Sequence, residues 1–294
     1  MNGVLVIDKP SGMTSHDVVN RVRRITKERS VGHIGTLDPM ATGVLPLVLG
    51  RLTRLAQFYT GSEKTYGGEI RFGFATDTYD AEGEPCGTVK EGVQVTLEEL
   101  ASIAKDFVGT ISQMPPPYSA KKIGGVAAYK LARNNKEVKL EPVPVEVKEF
   151  VIQSVDGDRA RFRAQVGSGT YMRSIAHEIG QRLGCGAHLS ALRRTSAGEF
   201  DVTDAHTLSE LEGGMETGTV ESLLVHPRKL LPEMPAVTAT DETVAMIRNG
   251  RAVNLPEMSR ARQVKVFRGQ AEMIAIVTRI AGTLFQPKVV FAAD

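Results

Sequence analysis

Residues 30–43 read SVGHIGTLDPMATG, with glycines at 32, 35 and 43, a proline at 39, and no apolar period of either two or 3.6 residues. The reading is a loop, because glycine admits positive φ and close approach of a ligand, while proline fixes its own φ and pushes the residue before it toward an extended conformation. That residue is Asp38, so a carboxylate sits on a rigid loop where it can serve as nucleophile or general base. Asp-Pro is equally a turn or helix-start signal, and the residues by themselves leave both readings open.

Working outward, residues 3–8 form a short β-rich run stopped by the turn sequence Lys9-Pro10-Ser11-Gly12. Thr14 or Ser15 then caps a helix whose Val18, Val19, Val22 and Ile25 recur at helical spacing, with Arg21, Arg23, Arg24 and Lys27 elsewhere around it. Downstream, residues 64–75 read as a strand in which Ile70, Phe72 and Phe74 alternate with Arg71 and Gly73, and an acidic turn-rich segment covers 77–87. Thr96 and Glu99 have capping-box spacing and open a helix to about residue 107. Residues 112–125, SQMPPPYSAKKIGG, are an irregular insertion leading into a short helix near 127–133, and a structureless piece of that length is more often functional than idle. Residues 142–154 and 159–166 pair around Asp156-Gly157, with Ala160, Phe162, Ala164 and Val166 on one face and Arg159, Arg161, Arg163 and Gln165 on the other. A helix follows over 170–183, then an acidic loop over 199–218. Pro227, Pro232 and Pro235 mark a boundary, beyond which a helix at 241–248 and short strands at 263–267, 273–278 and 288–291 suggest a small β-barrel-like domain.

A length of 294 residues favours two domains, and 41% hydrophobic with 24% charged residues excludes disordered and fibrous classes. The apolar run 44–49 is far too short to cross a bilayer, and MNGVLVIDKP reaches Asp8, Lys9 and Pro10 before a signal-peptide hydrophobic region is complete, so cytoplasmic residence is expected. Two distant cysteines, Cys86 and Cys185, argue against a disulfide framework or a cysteine zinc site. No phosphate-binding GxxxxGK[ST], HExxH, complete GxGxxG or GxSxG is present, which removes most support for nucleotide, zinc and serine-hydrolase chemistry. The net charge of +2 conceals alternation: +4 over 1–60, −6 over 61–110, +7 over 111–194, −5 over 195–232 and +2 over 233–294. The long basic stretch suits a polyanion such as nucleic acid, or else a solvated face. Arg173, at the start of its helix, can ion-pair with a carboxylate and keep it deprotonated; Tyr66 can stack on a planar base, and His33 can stack on or hydrogen-bond one.

Five ordered blocks, GVLVIDKPSGMTSHDVV, GHIGTLDPMATGVLPL, KTYGGEIRFGFATDTYDAEG, PPPYSAKKIGGVAAYKLAR and SGTYMRSIAHEIGQRLGCGAHLSALRRT, resemble the motifs of the TruB family of tRNA pseudouridine synthases over about residues 1–200. The tail from about 234 is similar, more loosely, to that family's PUA domain. The resemblance implies an α+β pseudouridine synthase fold, with a central mixed, largely antiparallel sheet flanked by helices and loops, and a small C-terminal PUA-like barrel. It implies a catalytic domain over 1–232 with a thumb-like insertion at about 112–139, and an RNA-binding domain over 233–294. The implied reaction is isomerisation of uridine 55 in the T loop of tRNA, without cofactor, nucleotide or metal. The family's roles then fall on Asp38 as nucleophile, Tyr66 stacked on the uracil and a candidate for taking the C5 proton, and Arg173 paired with Asp38. His33, Lys64, Lys121, Lys122 and Leu192 fall among the residues that meet RNA. A monomer is expected, since no heptad or dimer strip is visible. Other readings are an RNA-guided rRNA-modifying relative, an RNA-binding or tRNA-folding module with vestigial residues, and an N-glycosidase acting through Asp38. The PPPYSAKK insertion and compact tail favour the stand-alone enzyme.

Overall fold

A computed structural model describes residues 1–119, 122–123, 126–127 and 140–291. The chain begins with β1 (Gly3–Lys9), α1 (Ser15–Thr26), β2 (Val31–His33) and β3 (Thr42–Leu49). Next come β4 (Lys64–Phe72), the short pair β5 (Ala75–Thr76) and β6 (Pro85–Cys86), α2 (Leu97–Lys105) and β7 (Gly109–Gln113). The two-residue strands β8 (Lys122–Ile123) and β9 (Val126–Ala127) precede the long hairpin β10 (Val143–Asp156) and β11 (Arg159–Val166). Then follow α3 (Met172–Arg182), β12 (Ala187–Ala197), β13 (Phe200–Asp201), α4 (Leu208–Thr217) and β14 (Leu224–Val225). The last stretch holds β15 (Ala236–Thr238), α5 (Asp241–Arg248), β16 (Val253–Asn254), β17 (Gln263–Arg268), β18 (Glu272–Ala281) and β19 (Leu284–Val290).

Ten strands form one sheet in the order β14-β1-β3-β12-β4-β11-β10-β7, with β2 on β3 and β13 on β12. All its pairs are antiparallel except β3 with β12, so the sheet is mixed and largely antiparallel, as expected for the α+β class. The other large sheet runs β15-β17-β18-β19-β16, a compact five-stranded unit with a parallel β15–β17 pair. Among the described residues no helix is long and apolar enough to cross a membrane.

The apolar runs explain which strands are central. β1 is buried on both faces: Leu5 and Ile7 join a core with Val18, Val19 and Val22 of α1, while Val4 and Val6 join a second cluster with Phe267, Met273, Ile276 and Val289 of the C-terminal sheet. A strand covered on both sides needs no polar alternation, which is why GVLVI and VLPLVL read as continuous apolar stretches. Out toward the sheet edge one face meets solvent and the period of two returns. On β11, Ala160, Phe162, Ala164 and Val166 are buried, and Phe162 packs 5.3 Å from the ring of Phe150 on β10.

Several local expectations shift. The 30–43 stretch keeps its irregular centre, but β2 takes 31–33 and β3 begins at Thr42. At Gly43, φ is +98° and an added Cβ would sit 2.1 Å from the Arg194 carbonyl oxygen, so the parallel β3–β12 contact is possible only with glycine there. The strand expected over 64–75 ends at Phe72, where Gly73, at φ +108°, turns the chain away. The acidic segment 199–218 contains α4, capped by Thr207 with Glu210 reaching back to the Thr207 backbone. The helix expected from Thr170 starts at Met172. Residues 112–113 finish β7 rather than open the insertion, the last strand spans Leu284–Val290, and of the helix expected at 127–133 only Ala127 is described, in β9.

Candidate active site

Asp38 lies between β2 and β3 on a backbone fixed from three sides. Ser15 Oγ accepts from the Leu37 N–H at 2.8 Å and donates to the Leu37 carbonyl at 3.1 Å. Lys9, fully buried, donates its ammonium to the carbonyls of Pro39, Pro10 and Met13 at 3.0, 2.9 and 2.6 Å. Arg194, 1% exposed, donates to the carbonyls of Gly35, Thr36 and Val44 at 3.1, 3.3 and 2.7 Å. Neither cation meets a carboxylate in these bonds. Each is spent on backbone oxygens that a loop without regular pairing would otherwise bury unsatisfied.

The guanidinium of Arg173 faces this loop from the first turn of α3. Its Nη2 donates to Asp38 Oδ1 at 2.9 Å, while Nε lies 2.9 Å from Oδ2 at an angle too oblique for a hydrogen bond, so that contact is coulombic. Nη1 donates to the Thr78 carbonyl at 2.9 Å and lies 3.5 Å from Asp80 Oδ2; Nη2 also donates to the Tyr118 carbonyl at 3.0 Å. A cation at a helix N-terminus opposes the helix dipole. Two carboxylates and two carbonyls offset that here. The N-cap, Tyr171, makes no side-chain cap bond, and the buried Gln113 amide holds it instead, accepting from the Tyr171 N–H at 2.8 Å and donating to its carbonyl at 3.0 Å.

The Asp38 side chain is 32% exposed in an otherwise buried setting. Burial raises its pKa above the ordinary carboxylate value, against the pull of Arg173 and with a push from Asp80. Burial, reinforced by the Arg194 charge, lowers the pKa of both His33 and Lys64. Burial also brings the Lys9 pKa from 10.5 to about 8, with Glu82 and Asp38 pulling the other way. Between pH 8 and 10.5 the unfolded chain therefore holds a proton on Lys9 that the folded chain has released, and stability rises with pH across that window. Relative to Lys9→Met, the wild-type protein should gain up to about 2 kcal/mol between pH 8 and pH 10 in urea unfolding; parallel pH profiles would show that Lys9 titrates normally.

Asp38, Arg173, Tyr66, Lys64, Leu192 and Arg194 line one cavity of about 290 Å³. Tyr66 and Lys64 come from β4, and Leu192 and Arg194 from the neighbouring β12. His33 is not with them: it lines an adjoining cavity of about 630 Å³ with Tyr118 and Glu82, which shares Asp38 and Arg173 as its wall. Asp38 thus stands between two spaces. A roomier groove of about 1220 Å³ runs between residues 58–63 and the C-terminal sheet and includes none of Asp38, Tyr66 or Arg173, so volume does not locate the chemistry; the charged pair does. Lys121 and the side chain of Lys122 lie outside the described residues.

Asp80, Lys9, Gln113 and Arg194 carry no functional signal in the sequence alone. Asp80 was hidden in an acidic segment that reads as solvated turns, yet it is 3% exposed and its Oδ1 accepts from Thr78 Oγ1 at 2.6 Å. The basic stretch also looks different in three dimensions. Arg159 and Arg161 lie 2.6 and 3.8 Å from Glu69 of β4, Arg163 lies 2.5 Å from Glu149, and Lys148 pairs with Glu63, so the outward face of β10 and β11 is largely neutralised by neighbouring carboxylates.

The chain resembles known proteins along its length. Residues 23–172 match the N-terminal domain of the TruB family of pseudouridylate synthases, and residues 173–232 match a tRNA pseudouridylate synthase B C-terminal domain. The chain is 50% identical to tRNA pseudouridine synthase B of Solibacter usitatus over 293 residues, covering 99% of this chain and 100% of that one. It is 40% identical to the protein of the same name from Bacillus cereus over 256 residues, 85% and 83% of the two chains. Among solved structures, an archaeal box H/ACA sRNP Nop10–Cbf5 complex superposes with a TM-score of 0.71 at 26% identity, covering 99% of this chain and 86% of that chain. An H/ACA RNP bound to a substrate RNA containing 2′-deoxyuridine gives a TM-score of 0.72 at 25% identity, covering 99% and 85%. With its family domains in order, a full-length relative at one-half identity, and a buried arginine paired to an aspartate at the wall of a small cavity, the chain belongs to the TruB family of pseudouridylate synthases, which are isomerases.

Proposed function

We propose that this protein converts uridine 55 in the T loop of tRNA to pseudouridine, with Asp38 as the nucleophile. The observation that carries the reading is the Asp38–Arg173 pair, set at the wall of a cavity that suits one nucleoside and is lined by Tyr66 and Leu192. The relatives' names supply the tRNA. In the reaction the N1–C1′ bond breaks, the uracil turns, a C5–C1′ bond forms, and the C5 proton is lost as N1 regains one. Nothing is oxidised or hydrolysed, so a closed, water-poor site is appropriate. The target base must first leave its stack at a cost of a few kcal/mol, which stacking on Tyr66 offsets. Asp38 then adds to C1′ or to uracil C6, or supports elimination to a glycal; the same carboxylate serves each route. Arg173 stabilises the ionised carboxylate before substrate enters, and Tyr66 is the candidate for taking the C5 proton. Lys64 contributes positive charge in the same cavity, and His33, on the other side of Asp38, meets the loop from which the base has swung.

Residues 1–232 act in this scheme as the catalytic unit and 233–294 as a PUA-type RNA-binding unit, in a monomer working in the cytoplasm without cofactor. An unmodified tRNA transcript and a copy with uridine 55 replaced by cytidine test the site: nuclease digestion and chromatography should find one pseudouridine per molecule in the first and none in the second. Pseudouridine persisting in the second would move the target elsewhere. Lys121→Glu with Lys122→Glu should weaken tRNA binding and flatten the plot of log affinity against log salt by about two charges; an unchanged slope would remove both lysines from the phosphate contacts.

A further inference from the structure

Tyr79 has φ +66°, a left-handed backbone that a bulky side chain adopts only when its surroundings force it. It sits in the turn that passes behind Arg173. The Thr78 carbonyl just before it accepts from Arg173 Nη1 at 2.9 Å, and Asp80 just after it is the second carboxylate on that guanidinium. The Tyr79 carbonyl accepts from the Leu189 N–H at 3.0 Å, and the Ala81 N–H donates to the Leu189 carbonyl at 3.0 Å, so the turn is pinned to β12 by its backbone. The Tyr79 ring lies flat on His177, with centroids 3.7 Å apart and planes 13° from parallel. His177 is four residues after Arg173, hence on the same face of α3 one turn along. Its Nδ1 is buried without a hydrogen-bond partner, so the imidazole meets the turn through the stack and not through a hydrogen bond at that nitrogen. α3 therefore meets the turn at two points, guanidinium to Thr78 and Asp80, imidazole to Tyr79. The left-handed residue thus stands between the carbonyl and the carboxylate that meet Arg173, and its own ring meets His177.

We propose that Tyr79 and His177 are positioning residues for the reaction: their stack seats the turn on α3 so that the Thr78 carbonyl and Asp80 hold Arg173 at Asp38. The inference rests on the function proposed above and adds two residues that touch neither substrate nor Asp38. Tyr79→Gly separates ring from backbone, because glycine takes φ +66° without strain and only the stack is lost. His177→Ala removes the same contact from the other side, and His177→Phe keeps a flat ring. With tRNA transcript as substrate and kcat read per folded molecule, Tyr79→Gly and His177→Ala should each lower kcat about fivefold or more with KM within about twofold, and the double variant should be no slower than the slower single one. His177→Phe should stay within about twofold of wild type. Wild-type kcat in both single variants, a His177→Phe as slow as His177→Ala, or a loss appearing in KM would overturn the proposal. If the wild-type protein itself forms no pseudouridine in tRNA, the parent reading has failed; if it does and the variants match it, only the positioning role has.

Discussion

Asp38→Asn is expected to lower turnover by at least about 10⁴-fold, since loss of a nucleophile in a preorganised site costs as much as about 10⁶-fold, while tRNA binding stays within a few fold of wild type. Asparagine has nearly the same shape and keeps an oxygen toward Arg173 Nη2, so the loop clamped by Ser15, Lys9 and Arg194 has no reason to move. Stability should part company with activity. The Asp38 pKa is raised by folding, so its contribution to stability is complete below the ordinary carboxylate pKa and is lost as pH rises through the folded value. Above the folded value the ionised side chain is a burden on the fold, and there the uncharged variant should melt no lower than wild type. A reactive group held in an unfavourable setting commonly shows this trade. Retained turnover in Asp38→Asn would remove Asp38 as the nucleophile; a marked fall in melting temperature would show that the charge is structural.

Arg173→Met carries the second large effect, and it falls on both stability and rate. The variant leaves Asp38 and Asp80 without the guanidinium that faces them both, and the Thr78 and Tyr118 carbonyls without their donor. Breaking a buried pair by removing one partner costs about 3–5 kcal/mol. Burial and Asp80 already push the Asp38 pKa up, and Arg173 is the main opposing force. Without it the carboxyl titrates at still higher pH, and the acidic limb of kcat/KM moves toward alkaline pH. Arg173→Lys restores a charge but not the planar fork that reaches two carboxylates and two carbonyls together, so it should recover part of the stability and little of the rate. An acidic limb that stays put in Arg173→Met would show that Asp38 does not depend on this guanidinium for its ionisation.

The parts of the molecule legible in the sequence are those where one local rule acts alone. The period-two alternation of β11 and the Asp156-Gly157 turn predict the hairpin because that strand faces solvent on one side. Thr96 with Glu99 marks the start of α2 by capping chemistry, and Thr207 with Glu210 carries the same signal for α4, masked by the acidic residues around it. What escapes is set by neighbours distant in sequence. Arg193 and Arg194 are adjacent on β12, yet Arg193 pairs with Asp8 at 2.7 Å while Arg194 is buried against the loop that carries Asp38; only the strand's place beside β3 decides which points inward. Asp80 reads as one more turn acid until α3 brings Arg173 against it. The three arginines of β11 suggest a phosphate-binding face until Glu69 and Glu149 are seen across the ladder. Asp38, Tyr66 and Arg173, singled out from their motifs, do converge on one cavity, whereas His33 lies in the next.

The most direct test is tritium release from a tRNA transcript labelled at uracil C5, incubated with the purified protein without nucleotide or added metal, beside Asp38→Asn. Release should be stoichiometric with tRNA and map to the T-loop uridine, with none from the variant. Tight tRNA binding with no release from the wild-type protein, or equal release from Asp38→Asn, would contradict the proposed function.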